Sequence, residues 1–408
     1  MLGLLLTDAP RYALTKIYLC LRDWLTGTVA WLRGRDPVAP FSHCPSVCAI
    51  IAGYNEADTI SATLASVWRS YPKLEIIVVD DGSKDAMAAN ARRFAANHDG
   101  ILVLSRPDRG GKSSAMNFAL RYSQAEVVIV IDADSELGPN AIWEIVQPLA
   151  DERVGAVAGT VVVRNPFASL ATWLQAYEYL STIFVGRMSS ALLNILGIVS
   201  GAFGAFRRCA LDKVHGWDVG PPEDLDLTLA LRKAGYQVAF APYSLCWTEA
   251  PESFWTLIKQ RRRWERSGAV RNHCRKHLDL AFPWTANFRF GNFFVLLESW
   301  FFSIFCLYGI LAWFISFLIF LPEDWWQILL TLYMCYLCFE IITVATNLFY
   351  TTHFRKDLLV CSIFFLSPLY QCAMLFVRLF ATTEELLFRT SFKDNYVPPK
   401  VRQATWHW

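Results

Sequence analysis

The stretch Val127 to Asp134, VVIVIDAD, constrains this chain more than any other. Its β-branched apolar run, Val127 to Ile131, suits a strand covered on both faces, as at the centre of a parallel sheet. Where the strand leaves the core it meets two carboxylates, Asp132 and Asp134, with small Ala133 between them. Placed so, they can turn toward one point in the crevice where open α/β sheets bind ligands. Paired carboxylates repel each other unless a cation lies between them. Mg2+ or Mn2+ carrying a diphosphate is a suitable guest, because such ions take one or two carboxylates plus phosphate oxygens. The competing explanation is a solvated Asp-x-Asp turn that caps the next helix.

From Val47 to about Tyr243 the pattern alternates strand and helix. Strands are expected at 47–52, 74–83, 101–106 and 127–134, with a helix through Ser66 and Trp68 after the first, and a further apolar segment at 154–163. This is the signature of an α/β domain with a mostly parallel sheet and helices on both faces. Polar clusters end three of these strands: Tyr54-Asn55-Glu56, Asp80-Asp81-Gly82-Ser83, and Asp132 with Asp134. Parallel strands deliver their C-terminal ends to one edge, so the clusters should converge. At such an edge carboxylates can accept from a ribose or a base, and Tyr54 can stack on a base. Lys112, in the Gly-flanked loop RGGKSSAMN before a helix, can add a point charge near a phosphate or base. No G-x-G-x-x-G or G-x-x-x-x-G-K-[ST] occurs, which disfavours a dinucleotide or P-loop site. A nucleoside diphosphate bearing a transferable group fits best.

Composition adds a membrane. The chain is 54% hydrophobic with mean hydropathy +0.29, too apolar for an ordinary soluble enzyme of 408 residues. A net charge of +2 gives no argument for nucleic acid. The eleven scattered cysteines are no disulfide framework and suit a reducing compartment. Cys335 and Cys338 lie inside an apolar run, where packing is the simpler reading. Residues 1–35 contain no signal peptide and suggest an amphipathic helix in the bilayer interface, followed by a Pro-rich linker at 36–46.

Beyond the expected sheet, a long aromatic helix (168–194) and the Gly-broken IVSGAFGAF lead to Pro-Glu223-Asp224 at a helix start. Capping explains both acids, and so does a base that deprotonates an attacking hydroxyl. Residues 259–276 then hold eight basic side chains against one Glu. They fit a helix on anionic headgroups. They also fit a separate site, with Arg263 for a diphosphate and Trp264 as a platform for a sugar.

Asn55-Glu56, Asp80-Asp81-Gly-Ser, Asp132-Ala-Asp134, Pro-Glu223-Asp224 and Gln260-Arg-Arg-Arg263-Trp264, in this order, resemble the membrane-embedded processive family 2 glycosyltransferases. These include cellulose, chitin, hyaluronan and poly-N-acetylglucosamine synthases. The resemblance covers roughly residues 46–270 and implies a GT-A type, Rossmann-like catalytic domain (47–250). By the same resemblance Tyr54, Asp81 and Lys112 contact the uridine or diphosphate, and Asp132 with Asp134 bind Mg2+ or Mn2+ and the ribose-diphosphate. Asp224 is the base, while Gln260, Arg263 and Trp264, in a region of interfacial helices at 251–290, hold the acceptor end and the leaving UDP. The implied reaction is one inverting displacement. Pro222 replaces the Thr of the cellulose-synthase-like Thr-Glu-Asp, which removes a hydroxyl from the donor-sugar contacts around Glu223.

Three apolar runs follow, 293–321, 325–350 and 358–380, each long enough to cross about 30 Å of hydrocarbon. Glu298 and Glu340 within them should face protein or a polar path. A cytoplasmic catalytic domain agrees with Arg355 and Lys356 on the inside, in a plasma (bacterial inner) membrane. Three full crossings would, however, put the basic tail (383–408) outside. The third run, containing Pro368, is therefore expected to be interfacial or re-entrant and to return the tail, with Trp406 as a gating residue, to the catalytic mouth. Two further classes stay open: a transferase with a lipid acceptor, ceramide glucosyltransferase-like, and a non-catalytic subunit with a degenerate site. An oligomer or export partner is compatible with so few spans.

Overall fold

The computed structural model describes residues 9–32, 41–218, 222–268, 276–285, 288–393 and 398–400. The expected linker falls partly outside these residues, and Trp406 wholly so. Helix α1 (Ala9–Leu32) precedes the α/β domain. The domain then runs β1 (Val47–Gly53), α2 (Ile60–Val67), β2 (Leu74–Asp80), α3 (Met87–Ala95), β3 (Ile101–Ser105), α4 (Lys112–Ala119) and β4 (Val127–Asp132). It continues with β5 (Glu136–Leu137), α5 (Ala141–Val146), β6 (Val154–Val163), α6 (Leu170–Glu178), α7 (Arg187–Leu192), β7 (Phe203–Arg207), α8 (Arg208–Lys213), α9 (Glu223–Lys233) and β8 (Gln237–Thr248). After it come α10 (Phe254–Ser267), α11 (Phe290–Trp300), α12 (Leu307–Phe320), α13 (Trp325–Tyr350), α14 (Phe354–Cys361) and α15 (Ser367–Phe388).

The strands form one sheet in the order β3-β2-β1-β4-β7-β6-β8-β5. Alternate residues of β1 and β4 feed opposite cores, Val47, Ala49, Ile51, Val127, Ile129 and Ile131 on one face and Cys48, Ile50, Val128 and Val130 on the other. Both faces are therefore covered, and each fully buried Ile or Val contributes roughly 1.5–3 kcal/mol. Parallel pairing sets Gly53 beside Asp80, Asp80 beside Ser105 and Ala52 beside Asp132. The register thus aligns the polar strand ends, as their sequence positions imply.

The sheet is mixed, and the exception matters. β7 pairs antiparallel with β4 and β6. Because it runs backwards, β7 starts where β4 stops, and Asp132 N–H donates to Ala202 O at 3.1 Å. The Gly-broken segment before β7 is thereby carried to the edge that holds the acids. The long aromatic helix expected at 168–194 is broken by a π-helical stretch, Tyr179–Gly186, between α6 and α7. Wide π turns of this kind are found where a helix lines a site.

Three helical stretches, Phe290–Phe320, Trp325–Tyr350 and Phe354–Phe388, are long and apolar enough to cross a membrane. Pro368 stands in the first turn of α15, where its missing N–H costs nothing, so it starts a helix rather than breaking one. Where the sequence suggests a helix lying on the bilayer surface, the structure packs α1 along α13. Lys16 Nζ donates to Thr343 Oγ1 (2.9 Å) and Tyr350 Oη to Asp23 Oδ2 (2.7 Å), so the two helices run in the same direction. Two of the charges that interrupt the apolar pattern of α1, Lys16 and Asp23, are matched by polar groups of α13, while Leu14, Tyr18, Leu21 and Leu25 face outward. Glu340 is buried and accepts from Tyr177 Oη. Glu298 lines a cavity of about 660 Å³ between the catalytic domain and these helices.

The basic helix α10 is not free for headgroups along its whole length. Arg261 Nη2 lies 2.6 Å from Glu178, Arg262 Nη2 2.5 Å from Glu384, and Arg378 Nε donates to Glu265 at 3.0 Å. The first pair ties α10 to α6, and the other two fasten the C-terminal half of α15 to α10. Lys400 lies 3.4 Å from Asp108, beside the loop that precedes α4.

Gly53 tests how tightly the strand ends are packed. A Cβ there would stand 2.3 Å from Met87 Cε and 2.7 Å from Ala133 Cβ. Met87 can move but Ala133 cannot, so Gly53→Ala is expected to destabilise the domain by about 1–3 kcal/mol. A lowered midpoint in thermal unfolding of the purified protein checks this, and an unchanged one refutes it.

Candidate active site

Lys112 opens α4, and its Nζ donates to Asp132 Oδ1 and, at 2.9 Å, to the carbonyl of Gly201. Glu223 Oε1 lies 3.9 Å away. From its other side Gly201 donates its N–H to Asp224 Oδ2 at 3.1 Å. A side chain at Gly201 would meet all three charged groups, since a Cβ would stand 3.1 Å from Lys112 Nζ and 3.5 Å from both Asp224 Oδ2 and Glu223 Oε1. Four remote segments, the end of β4, the starts of α4 and α9 and the loop before β7, therefore meet at one residue without a side chain.

Burial alone would lower Lys112, but Asp132, Glu223 and Asp224 outweigh it and hold the ammonium above its ordinary value. Burial pushes Glu223 up, opposed by Lys112 and reinforced by Asp224. Burial, then the charge of Asp132, pushes Asp134 up. Glu56 is raised by burial and next by Asp134, although Thr59 donates to its carboxylate. Glu56, Asp132 and Asp134 thus feel one another, which places the first and fourth strand ends in one crevice. Asp224 Oδ1 also accepts from Leu225 N–H at 2.8 Å, so the capping role holds for one oxygen while the other reaches Gly201.

Asp81 does something the sequence did not suggest. Its carboxylate accepts from Gly110 N–H (2.9 Å), Gly111 N–H (2.7 Å) and Arg106 (3.2 Å). It is buried, and burial raises it despite these bonds. Asp81 thus has a structural task as well: it builds the loop that ends at Lys112. Gly82, at φ 77°, allows that loop to come close, because a Cβ there would be 2.9 Å from Arg109 N. Tyr54 keeps an open ring face only in part, since the Arg109 guanidinium covers it at 4.1 Å.

Gln260, Arg263 and Trp264 share one face of α10 by their i, i+3, i+4 spacing. Among the described residues the buried Gln260 Oε1 atom has no hydrogen-bond partner, and Trp264 stacks on Arg261 at 4.6 Å. The helix ends at Gly268, where a Cβ would lie 3.7 Å from Leu225, next to Asp224. The α10 face is therefore a neighbour of the Lys112 cluster rather than part of it. Sequence reading missed Gly201, whose only signal was its place in a Gly-broken apolar segment. It also missed Arg187, whose position inside an aromatic helix gave no signal at all.

Comparison with known proteins agrees with this arrangement. Residues 45–267, more than half of the chain, match the model of glycosyltransferase like family 2. A poly-beta-1,6-N-acetyl-D-glucosamine synthase of Staphylococcus aureus (strain MSSA476) is 31% identical over 248 residues, 60% of each chain. The synthase of the same name from Staphylococcus epidermidis is 34% identical over 222 residues, 54% of this chain and 53% of the relative. The matched stretch thus spans little more than half the length of these relatives. A mannosyltransferase from Pyrobaculum calidifontis, solved with GDP-mannose and Mn2+, shares the fold with a TM-score of 0.59 and 21% identity, over 95% of this chain and 99% of that one. The order of the strand-end acids, the meeting of Lys112, Glu223 and Asp224 at Gly201 and the length of the match together lead to one conclusion: this chain belongs to glycosyltransferase family 2.

Proposed function

We propose that this protein moves a sugar, N-acetylglucosamine as first candidate, from a UDP-sugar to the end of a growing polysaccharide at the membrane. The observation that carries the reading is the cluster in which Lys112 touches Asp132 and Gly201 while Asp224 takes the other side of Gly201. Donor-binding groups and a base then lie within one residue of each other. Asp224 accepts the proton of the acceptor hydroxyl as its oxygen attacks the anomeric carbon from the face opposite the diphosphate, and the C–O bond to UDP breaks with inversion. Lys112 offers positive charge to the departing diphosphate, and Arg263 on the neighbouring helix is assigned the same task.

Asp132 and Asp134 would hold Mg2+ or Mn2+, which when bound supplies charge for the leaving diphosphate. The residues fit, because Asp134 is raised by burial and by Asp132, the condition a hard cation relieves. Among the described residues no set of three His, Cys, Asp or Glu side chains is arranged to hold a metal, so phosphate oxygens would complete the shell. The cavity that borders Leu225 and runs to Glu340 supports an acceptor path toward the apolar helices. The pair Lys400 and Asp108 supports a tail that returns to the catalytic side, with α14–α15 crossing the bilayer in part, the domain cytoplasmic and the chain multi-pass in a plasma membrane.

Purified protein given labelled UDP-sugars should release UDP and form a ladder of oligosaccharides; a single glycolipid band would favour a lipid acceptor instead. Asp224→Asn should lower turnover about 10²- to 10⁴-fold while UDP still binds. Turnover at the parental rate would remove Asp224 as the base.

The acids also predict a stability effect. Asp134 is raised in the folded state, so the native protein binds more protons than the unfolded chain between the ordinary carboxylate value and the raised one. Stability is then lost as pH rises through that window. In metal-free buffer at neutral pH, Asp134→Asn should melt higher than the parent, and adding Mn2+ with UDP should raise the melting temperature of the parent more than that of the variant. A variant that melts lower in metal-free buffer contradicts the repulsion.

A further inference from the structure

Arg187 opens α7 directly after the π-helical stretch, and it lines the cavity of about 660 Å³ on the side of Leu225. Among the described residues it makes one hydrogen bond, to the carbonyl of Gly159 at 3.3 Å. A guanidinium carries five N–H donors, so most of its bonding capacity is unused. Other buried arginines are treated differently. Arg232 donates to Asn292 Oδ1 (3.0 Å) and to the carbonyls of Leu196 (3.2 Å) and Asn194 (2.6 Å), and Arg261 lies on Glu178. Burial lowers Arg187 to about 10, with the charge of Asp224 holding it up. Arg187 is half-buried, and with no carboxylate in contact among the described residues its guanidinium has donors to spare for a ligand that enters the cavity.

We propose that Arg187 binds the terminal sugar of the acceptor, donating to its hydroxyl or acetamide oxygens and so presenting the attacking hydroxyl to Asp224. The position favours the acceptor over the donor. Lys112 holds Asp132 and the Gly201 carbonyl, whereas Arg187 lines the cavity beside uncharged Leu225, Ser190, Gly197 and Ile198, the charged groups of the same cavity (Lys16, Glu178, Glu298, Glu340 and Arg378) standing on other elements. A neutral ligand rich in oxygen lone pairs suits such a wall. The π-helical stretch is a reason for the arginine to stand there, since it shifts the register of the helix between α6 and α7.

The inference rests on the proposed transfer and is tested apart from it. The full chain in detergent is given a β-linked N-acetylglucosamine tetramer as acceptor and a labelled UDP-sugar. Arg187→Ala should raise the acceptor KM by about tenfold or more, as expected for hydrogen bonds from a charged donor. The donor KM and the binding of UDP should stay within about twofold, and Arg187→Lys should recover part of the loss. Calorimetry of the tetramer alone reads the same weakening even if the parent transfers no sugar, in which case the proposed reaction fails and the acceptor site stands. An unchanged acceptor affinity overturns the inference, and so does a loss confined to the donor, which would assign Arg187 to the diphosphate. Retained UDP binding marks each variant as folded, and Arg187→Lys carries the comparison where the alanine variant does not retain it.

Discussion

The ammonium of Lys112 is the constraint on which the catalytic edge depends. A buried cation is tolerated only when its partners replace the water it has lost. Here those partners come from three separate segments: Asp132 at the end of β4, the Gly201 carbonyl before β7 and, at 3.9 Å, Glu223 at the start of α9. Without it, Glu56, Asp132, Asp134, Glu223 and Asp224 would face one another with no cation from α4 between them. The lysine is in turn positioned from behind. Asp81 holds Gly110 and Gly111 by their N–H groups, and Lys112 is the next residue. A carboxylate on β2 thus fixes where a cation stands on α4.

The antiparallel strand β7 is what makes this meeting possible. In a fully parallel sheet the segment before β7 would enter from the opposite edge, far from Asp132. Reversal brings Gly201 to the C-terminal end of β4, and lack of a side chain lets three charged groups close around it. Gly201 joins the two parts of the cluster: its carbonyl accepts from Lys112, which also holds Asp132, and its N–H donates to Asp224. The helices that follow are tied to this arrangement by ion pairs rather than by apolar packing alone. Arg261 meets Glu178, which also accepts from Tyr370 at 2.8 Å, so α6, α10 and α15 share one partly buried node. Such pairs set direction and register more than they add stability.

Much of the domain was legible because period-two apolar runs have few other uses. The strands at 47–52, 74–83, 101–106 and 127–134 and the common edge of their polar ends follow from burial on both faces, and the structure has them within a few residues. The apolar runs after residue 290 were equally plain from length and hydropathy. Legibility failed where a residue's role depends on a remote partner. That Asp81 also anchors a loop could not be read, because the glycines it holds, Gly110 and Gly111, are remote in sequence. The basic run 259–276 reads like a surface for headgroups, yet Arg261 and Arg262 are spent on Glu178 and Glu384. Lys16 and Asp23 read like the polar face of an interfacial helix, and their partners Thr343 and Tyr350 lie more than three hundred residues on.

The loop between β3 and α4 joins these themes. It carries Arg106, which grips Asp81, Arg109, which covers Tyr54, and Asp108, which meets Lys400. The first contact is partly buried and fixes the loop to the sheet, while the last is exposed on both partners. An exposed pair contributes about 0–1 kcal/mol, an energy comparable with thermal agitation. The inner face of the loop is therefore held to the sheet by a contact shielded from water, while its outer face meets Lys400 through a pair that solvent and salt screen, so the position of Lys112 depends on Asp81 and Arg106 and not on Lys400.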